Sequence, residues 1–189
     1  MIRRVWLSMV LCGVLGGAQQ AVDEDAQIEK DFEKRVEDYA KLRDTARAGL
    51  DKLKPTKEPE KIDDHERGLA RRIRELRAGA RQGDIFTPEI SGEFRRLIGI
   101  TLQGEEAARI LKSLERAEPV HLKTLEVDRR YPDGVPLQST PPTLLLNLPK
   151  LPKAMEYRVT GRALILHDME SNLIVDFIAD AFPARKHVP

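Results

Sequence analysis

The chain has 189 residues, a third of them charged, with 32 basic residues against 31 acidic ones and a formal net charge of +1. That near-neutral balance argues against a dedicated nucleic-acid binder, whose footprint is strongly basic. A single cysteine, Cys12, excludes an intrachain disulfide framework and a zinc site built from several thiolates.

Met1-Ile2-Arg3-Arg4, the apolar run over residues 5–15 and the small residues Gly16-Gly17-Ala18 have the pattern of a secretory signal peptide. Gly16 and Ala18 suit positions −3 and −1, which places cleavage after Ala18; a cut after Ala21 would put Gln19 at −3. A membrane anchor would need about 20 apolar residues, and this run is shorter. Cys12 invites a lipoprotein reading, but Leu11 stands where a small residue is expected. Loss of the leader removes Arg3 and Arg4 and leaves 30 basic residues against 31 acidic. It also removes Cys12, and with it any thiol nucleophile or Cys-ligated metal. The expected product is exported, periplasmic or secreted, and without a transmembrane span.

Residues 19–82 read as a charged helical hairpin. Ile28, Phe32, Val36, Tyr39, Leu42, Ala46, Leu50 and Leu53 recur every three or four residues, one apolar stripe on a helix of coiled-coil character over residues 28–53. Pro55 and Pro59 break it. Ile62, Leu69, Ile73, Leu76 and Ala80 form a second stripe, so two antiparallel helices packed stripe to stripe are expected. Arg67, Arg71, Arg74 and Arg81 fall along one side of the second helix, joined by Arg72 and Arg77. They form a candidate face for an anionic partner, either an envelope protein or an anionic lipid surface. The competing reading is a solvated face answering the acids Glu29, Asp31, Glu33, Glu37 and Asp38 of the first helix. The balance of 16 basic and 16 acidic residues over residues 23–82 favours that reading.

Residues 83–118 read as a helical segment. Thr87-Pro88-Glu89 is a helix start, with an N-cap, a proline at the first position and an acid in the first turn. Ile90, Phe94, Leu97 and Ile98 make the buried face of this helix, and Arg95-Arg96 the wet one. A further helix is expected after Gly104, carrying Ala108, Ile110, Leu111 and Leu114 and stopping before Pro119.

Residues 119–189 read as a small domain with an antiparallel sheet, giving an α+β chain. Residues 120–127 alternate imperfectly as a strand, and residues 131–134 form a turn. Thr140-Pro141-Pro142 caps a short helix over residues 143–148. Leu144, Leu145, Leu146, Leu148 and Leu151 form a lid over one sheet face, or else an exposed patch that binds a partner. A three-stranded meander follows, with Tyr157-Arg158-Val159, residues 163–167 and residues 173–178 as its strands. Gly161 supplies the positive φ of the first turn. In the last strand, strict alternation sends Leu173, Val175 and Phe177 one way and Ile174, Asp176 and Ile178 the other. The middle strand is apolar on both faces, so both need cover.

The segments YRVTGRALILHD and NLIVDFI, preceded by YPDGVPL and PPTLLLNLPKLP, resemble the C-terminal signature of exported Gram-negative bacterial proteins of unknown function. GDIFTPE before a Phe-Arg-Arg helix is similar to the middle of such proteins. The likeness spans residues 83–182 and implies a periplasmic address, with no catalytic residue carried over. A shorter likeness, confined to the strand hairpin Tyr157-Arg158-Val159…Leu164-Ile165-Leu166, is to small periplasmic metal-stress proteins.

There is no nucleophile elbow, phosphate-cradling glycine loop, dinucleotide fingerprint or His-Glu-x-x-His. Hence no catalytic, metal or cofactor-binding residue is assigned, no cofactor is expected, and oligomeric state stays open. The expected role is a non-catalytic interaction or structural protein of the cell envelope. The alternative is a small periplasmic hydrolase or metal-binding protein using acids and histidine near the sheet end. His167 with Asp168 is the tempting metal pair for it, although a zinc site needs three or four ligands and the bland reading is a solvated turn. Asp176, a charge in the most apolar strand, is either a perturbed functional acid or a structural group paired with Arg158 or Arg162 or guarding an edge.

Overall fold

The computed structural model describes residues 15–103, 107–110, 112, 124–132, 140 and 142–183, with side chains from residue 24 onwards and not at residues 142 and 143. Three helices come first: α1 (Leu15–Ala48), α2 (Pro59–Leu76) and α3 (Pro88–Thr101), followed by a one-turn helix α4 (Pro142–Leu145). The chain ends in three strands, β1 (Met155–Thr160), β2 (Ala163–Asp168) and β3 (Leu173–Ile178), hydrogen-bonded in that order as an antiparallel meander. The fold class is α+β, as the sequence pattern requires.

α1 and α2 pack antiparallel: Leu50 lies on Gly68, Arg77 over Tyr39, and Arg35 reaches the Asp84 carbonyl. α1 buries Phe32, Val36, Tyr39 and Ala46 but ends at Ala48, short of the expected residue 53, and Leu53 is exposed. The buried stripe of α2 is Leu69, Ala70 and Ile73; Ile62 and Leu76 face solvent, and Ala80 lies beyond the helix. Thr87 caps α3 as expected, its Oγ1 accepting from the Ile90 amide at 3.3 Å, and Ile90, Phe94 and Ile98 are buried. The later helix falls mostly outside the described residues; residues 107–110 and 112 are helical, with Ile110 buried.

The meander is covered on both faces, as an all-buried β2 demands. One face, with Met155, Tyr157, Val159, Leu164, Leu166, Leu173, Val175 and Ile178, joins the side chains of α1, α2 and α3 in one core. Phe32, Phe86, Phe94 and Tyr157 stack and tilt against one another there at centroid distances of 4.9–6.5 Å. The other face is a smaller cluster of Ile165, Ile174 and Phe177 under Tyr131, Leu125 and Val127.

Three sequence expectations are corrected here. Strict alternation in β3 fails because the register slips between Leu166, paired with Asp176, and His167, paired with Ile174. Val175 is the extra residue of a β-bulge, so Asp176 turns with Leu173 toward the helices and Phe177 joins Ile174 on the outer face. The expected strand over residues 120–127 is not one where described: residues 124–126 are irregular, and pairing begins only beyond Val127. The amides of Asp128 and Tyr131 donate to the carbonyls of Ile174 and Asn172, and the Ile174 amide to that of Arg129, which covers the outer edge of β3. The short helix expected over residues 143–148 is a single turn, Pro142–Leu145, and the Thr140 hydroxyl ahead of it donates to the Tyr157 carbonyl at 2.7 Å. Of the leucine lid, Leu144 and Leu148 are buried and Leu151 packs partly, on the helix-facing core; Leu145 and Leu146 face solvent.

Candidate functional site

Several buried polar side chains, Arg43, Asp168 and Ser171 among them, meet at the seam between α1 and the sheet. Tyr39, Arg43 and Arg47 recur every four residues, which puts them on one face of α1. The β2–β3 turn meets them with Asp168, Glu170 and Ser171. Asp168 is fully buried and accepts from Tyr39 Oη at 2.8 Å, Ser171 Oγ at 2.9 Å, the Glu170 amide at 3.0 Å and Arg43 Nη1 at 3.4 Å. Arg43 also donates to the Lys153 carbonyl, while its Nε is buried with no hydrogen-bond partner and lies 3.9 Å from Glu170. Glu170 pairs with Arg47. Burial raises the Tyr39 phenol well above its ordinary range, and the neighbouring Asp168 charge raises it further.

Arg77 closes the next layer. Its guanidinium sits 5.1 Å from the Tyr39 ring centroid, pairs with Asp128 and donates to the bulged Val175 carbonyl. Burial raises the Asp128 carboxyl above its usual value, and the opposing pull of Arg77 and Arg74 does not cancel it. Asp176, fully buried, accepts from the amides of Gly83, Ile85 and Phe86 in the α2–α3 connection and from its own Phe177 amide. The expected arginine partners, Arg158 and Arg162, are not what it binds: Arg158 pairs with Glu156 and Arg162 with Asp180. The charge is held because four N–H groups converge on it, a coordination that can stabilise a buried carboxylate without a counter-ion.

His167 and Asp168 do not form a pair. As successive strand residues they face opposite sides of the sheet. Neither is a solvated turn residue, since His167 is 4% and Asp168 0% exposed. His167 Nδ1 lies 2.9 Å from Glu156 Oε1 and Nε2 2.9 Å from Asn172 Oδ1, on the outer face beneath the Tyr131 ring. Among the described residues no group of three or more His, Cys, Asp or Glu side chains is placed to hold a metal ion.

The arginine face is only partly a face. Arg67, Arg71 and Arg74 lie along exposed α2, but Arg81 stands beyond the helix end, after the left-handed turn at Gly79. Arg67 pairs with Asp63 at 2.7 Å, and Arg74 Nε donates to the Asp128 carbonyl at 2.8 Å. Arg72 turns inward over Gly49 at the end of α1, and Arg77 into the seam. The acids of α1 answer basic residues of α1 itself, in the pairs Asp31–Arg35, Asp38–Lys34 and Glu37–Lys41. The expected answer across the hairpin is therefore not what these pairs make.

One open concavity borders β1. A groove of about 610 Å³ runs between α4 and the strand, walled by Leu145, Leu148, Leu151, Met155 and Tyr157, with Lys150, Glu156 and Arg158 around it. Its volume is within the usual ligand-site range of roughly 300–1,000 Å³. Leu145 is 41% and Leu146, beside it, 82% exposed.

Arg43 and Arg77 are the residues of the seam that apolar periodicity passes over. A signal for the first exists: Arg43 stands four residues after Tyr39, between Leu42 and Ala46 of the stripe, where a charge must find a buried partner. Nothing local to residue 77 marks Arg77 as inward.

Fold and seam together define a small α+β protein in which a helical hairpin is fastened to a three-stranded meander by buried, hydrogen-bonded ionic groups. No family model, no curated protein and no solved structure matches the chain.

Proposed function

We propose that this is an exported, non-catalytic interaction or structural protein of the cell envelope, acting in the periplasm or beyond it. The observation that carries the reading is how the polar groups are used. His167, Asp168 and Asp176, the side chains best suited to chemistry, are buried, and each is engaged by two or more intramolecular hydrogen bonds. A hydrolase or metal-binding protein built on His167 and Asp168 would need them to meet one ligand, whereas they occupy opposite faces of β2. A surface suited to recognition is the groove beside β1, with apolar walls and the exposed Leu145 and Leu146 next to it. The leader-like opening supports export, and within residues 24–183 the described chain has no helix long and apolar enough to cross a membrane. The partner this surface fits is an envelope protein; an anionic lipid surface would instead meet the exposed α2 arginines Arg67, Arg71 and Arg74.

Crosslinking in intact cell envelopes, read by mass spectrometry, tests the proposal. The wild-type chain should yield a defined crosslinked partner, and Leu146→Lys should lose it without change in stability. Recovery of the chain in the cytoplasmic fraction, or the same crosslinks from both proteins, would overturn it.

A further inference from the structure

His167 is a buried titratable group that the proposed function leaves unused, and the hydrogen-bond geometry around it constrains its protonation. The Asn172 side-chain amide donates through Nδ2 to the Tyr131 carbonyl at 3.1 Å. A carbonyl oxygen can only accept, so the NH2 of Asn172 must face it and its Oδ1 must face His167 Nε2, 2.9 Å away. Nε2 therefore donates. On the other side, Glu156 Oε1 receives Arg158 Nε and Nη2, each at 2.5 Å, and lies 2.9 Å from His167 Nδ1. Burial raises the Glu156 carboxyl, but its contacts with His167 and Arg158 more than offset it and the group lies below the usual carboxylate range. The Arg158 guanidinium, with two nitrogens on Oε1, favours the ionised form whichever tautomer His167 adopts. An ionised carboxylate has no proton to give, so Nδ1 donates as well.

We propose that His167 is carried as an imidazolium joining β1 to the cover of the outer sheet face, and that loss of its proton opens one side of this latch. The neutral ring has a single N–H, so deprotonation must surrender either the Glu156 or the Asn172 contact. The second of these leads directly to the cover: Asn172 holds the Tyr131 carbonyl through its side chain and the Tyr131 amide through its own carbonyl at 2.7 Å. The charged and titratable groups facing the ring are Glu156 and Arg158 from β1 and the Tyr131 phenol from the cover, whose ring centroid is 5.5 Å away. Asp168, though adjacent in sequence, is on the other face. Burial of the Tyr131 phenol raises it above its ordinary range, so it does not titrate alongside a histidine. The latch is closed on the acid side of the His167 titration and loosened on the alkaline side.

The test uses the full chain, nitrogen-15 labelled, with imidazole nitrogens and amide protection factors followed between about pH 5 and 8, where histidines change charge. On the acid side both nitrogens of His167 should carry protons. Through its titration the protection of the Tyr131 and Ile174 amides should fall about tenfold, the equivalent of one net hydrogen bond. The Ile85 and Phe86 amides, on the opposite sheet face, should not follow. In His167→Gln, where no ring titrates, the pH dependence at Tyr131 should vanish. Neutral, singly protonated His167 at a pH where His65 is already charged would overturn the proposal. So would a complete His167 titration that leaves Tyr131 protection unchanged, a result readable on the wild-type chain even if the variant fails to fold.

Discussion

Replacing Asp176 by asparagine changes one atom's chemistry and almost no volume, and the geometry sets the consequence. One carboxylate oxygen, Oδ2, accepts from the amides of Ile85 at 2.9 Å and Phe86 at 2.8 Å, with Gly83 at 3.2 Å; the other, Oδ1, accepts from Phe177 at 2.8 Å and Gly83 at 3.1 Å. An asparagine must turn its NH2 toward one of these groups of donors. Turned toward Phe177, it strands that amide; turned toward the connection, it strands Ile85 and Phe86. Each buried donor left without an acceptor costs about 1–3 kcal/mol, and the surviving bonds lose the charge that roughly doubles their strength. Asp176→Asn should therefore destabilise by about 2–4 kcal/mol, with Asp176→Ala at or above the top of that range. Urea unfolding followed by circular dichroism measures it, with Asp180→Asn as the control. Asp180 pairs with Arg162 at the surface, 66% exposed, and exposed pairs are worth under about 1 kcal/mol. Hydrogen exchange should localise the loss to Gly83, Ile85 and Phe86. A variant unfolding at the same urea concentration as wild type, with those amides still protected, would refute the idea that this carboxylate fastens the α2–α3 connection to β3.

All three tyrosines, Tyr39, Tyr131 and Tyr157, have phenols raised above their ordinary value, in each case chiefly by burial. The folded state thus keeps phenolic protons that the unfolded chain releases near pH 10, so stability is full below that pH and falls as pH rises above it. Absorbance titration of the native protein should show no tyrosine ionising with an unperturbed midpoint, and ionisation should instead accompany alkaline unfolding; an early, reversible phenolate signal would contradict the burial. In the leucine-rich segment, Leu144→Ala should cost about 2–5 kcal/mol and Leu146→Ala within about 0.5 kcal/mol, because Leu144 is fully buried and Leu146 is 82% exposed. Equal costs in a denaturant titration would refute the one-sided lid.

The helices and the meander were legible because their signals are local. The α1 stripe from Phe32 to Ala46, the Thr87-Pro88 start and the two-residue turn at Gly161 (φ 57°) each follow from side-chain spacing or backbone freedom within a few residues. The candidate chemistry was less so. His167 and Asp168 look like neighbours in the chain and become strangers in the sheet. Asp176 reads as a charge needing an arginine, and finds backbone amides contributed from some ninety residues away.

What the sequence determined by itself is the α+β class, the antiparallel hairpin, the three strands and the demand that both faces of β2 be covered, since periodicity and turn chemistry act over short range. Which side chains do the covering, and where the ionic groups go, was decided by tertiary structure alone. A single extra residue at Val175 rotates Asp176 from one sheet face to the other. No alternation rule contains that slip, because a bulge is set by what packs on either side of the strand: the α2–α3 connection on one face and Tyr131 on the other.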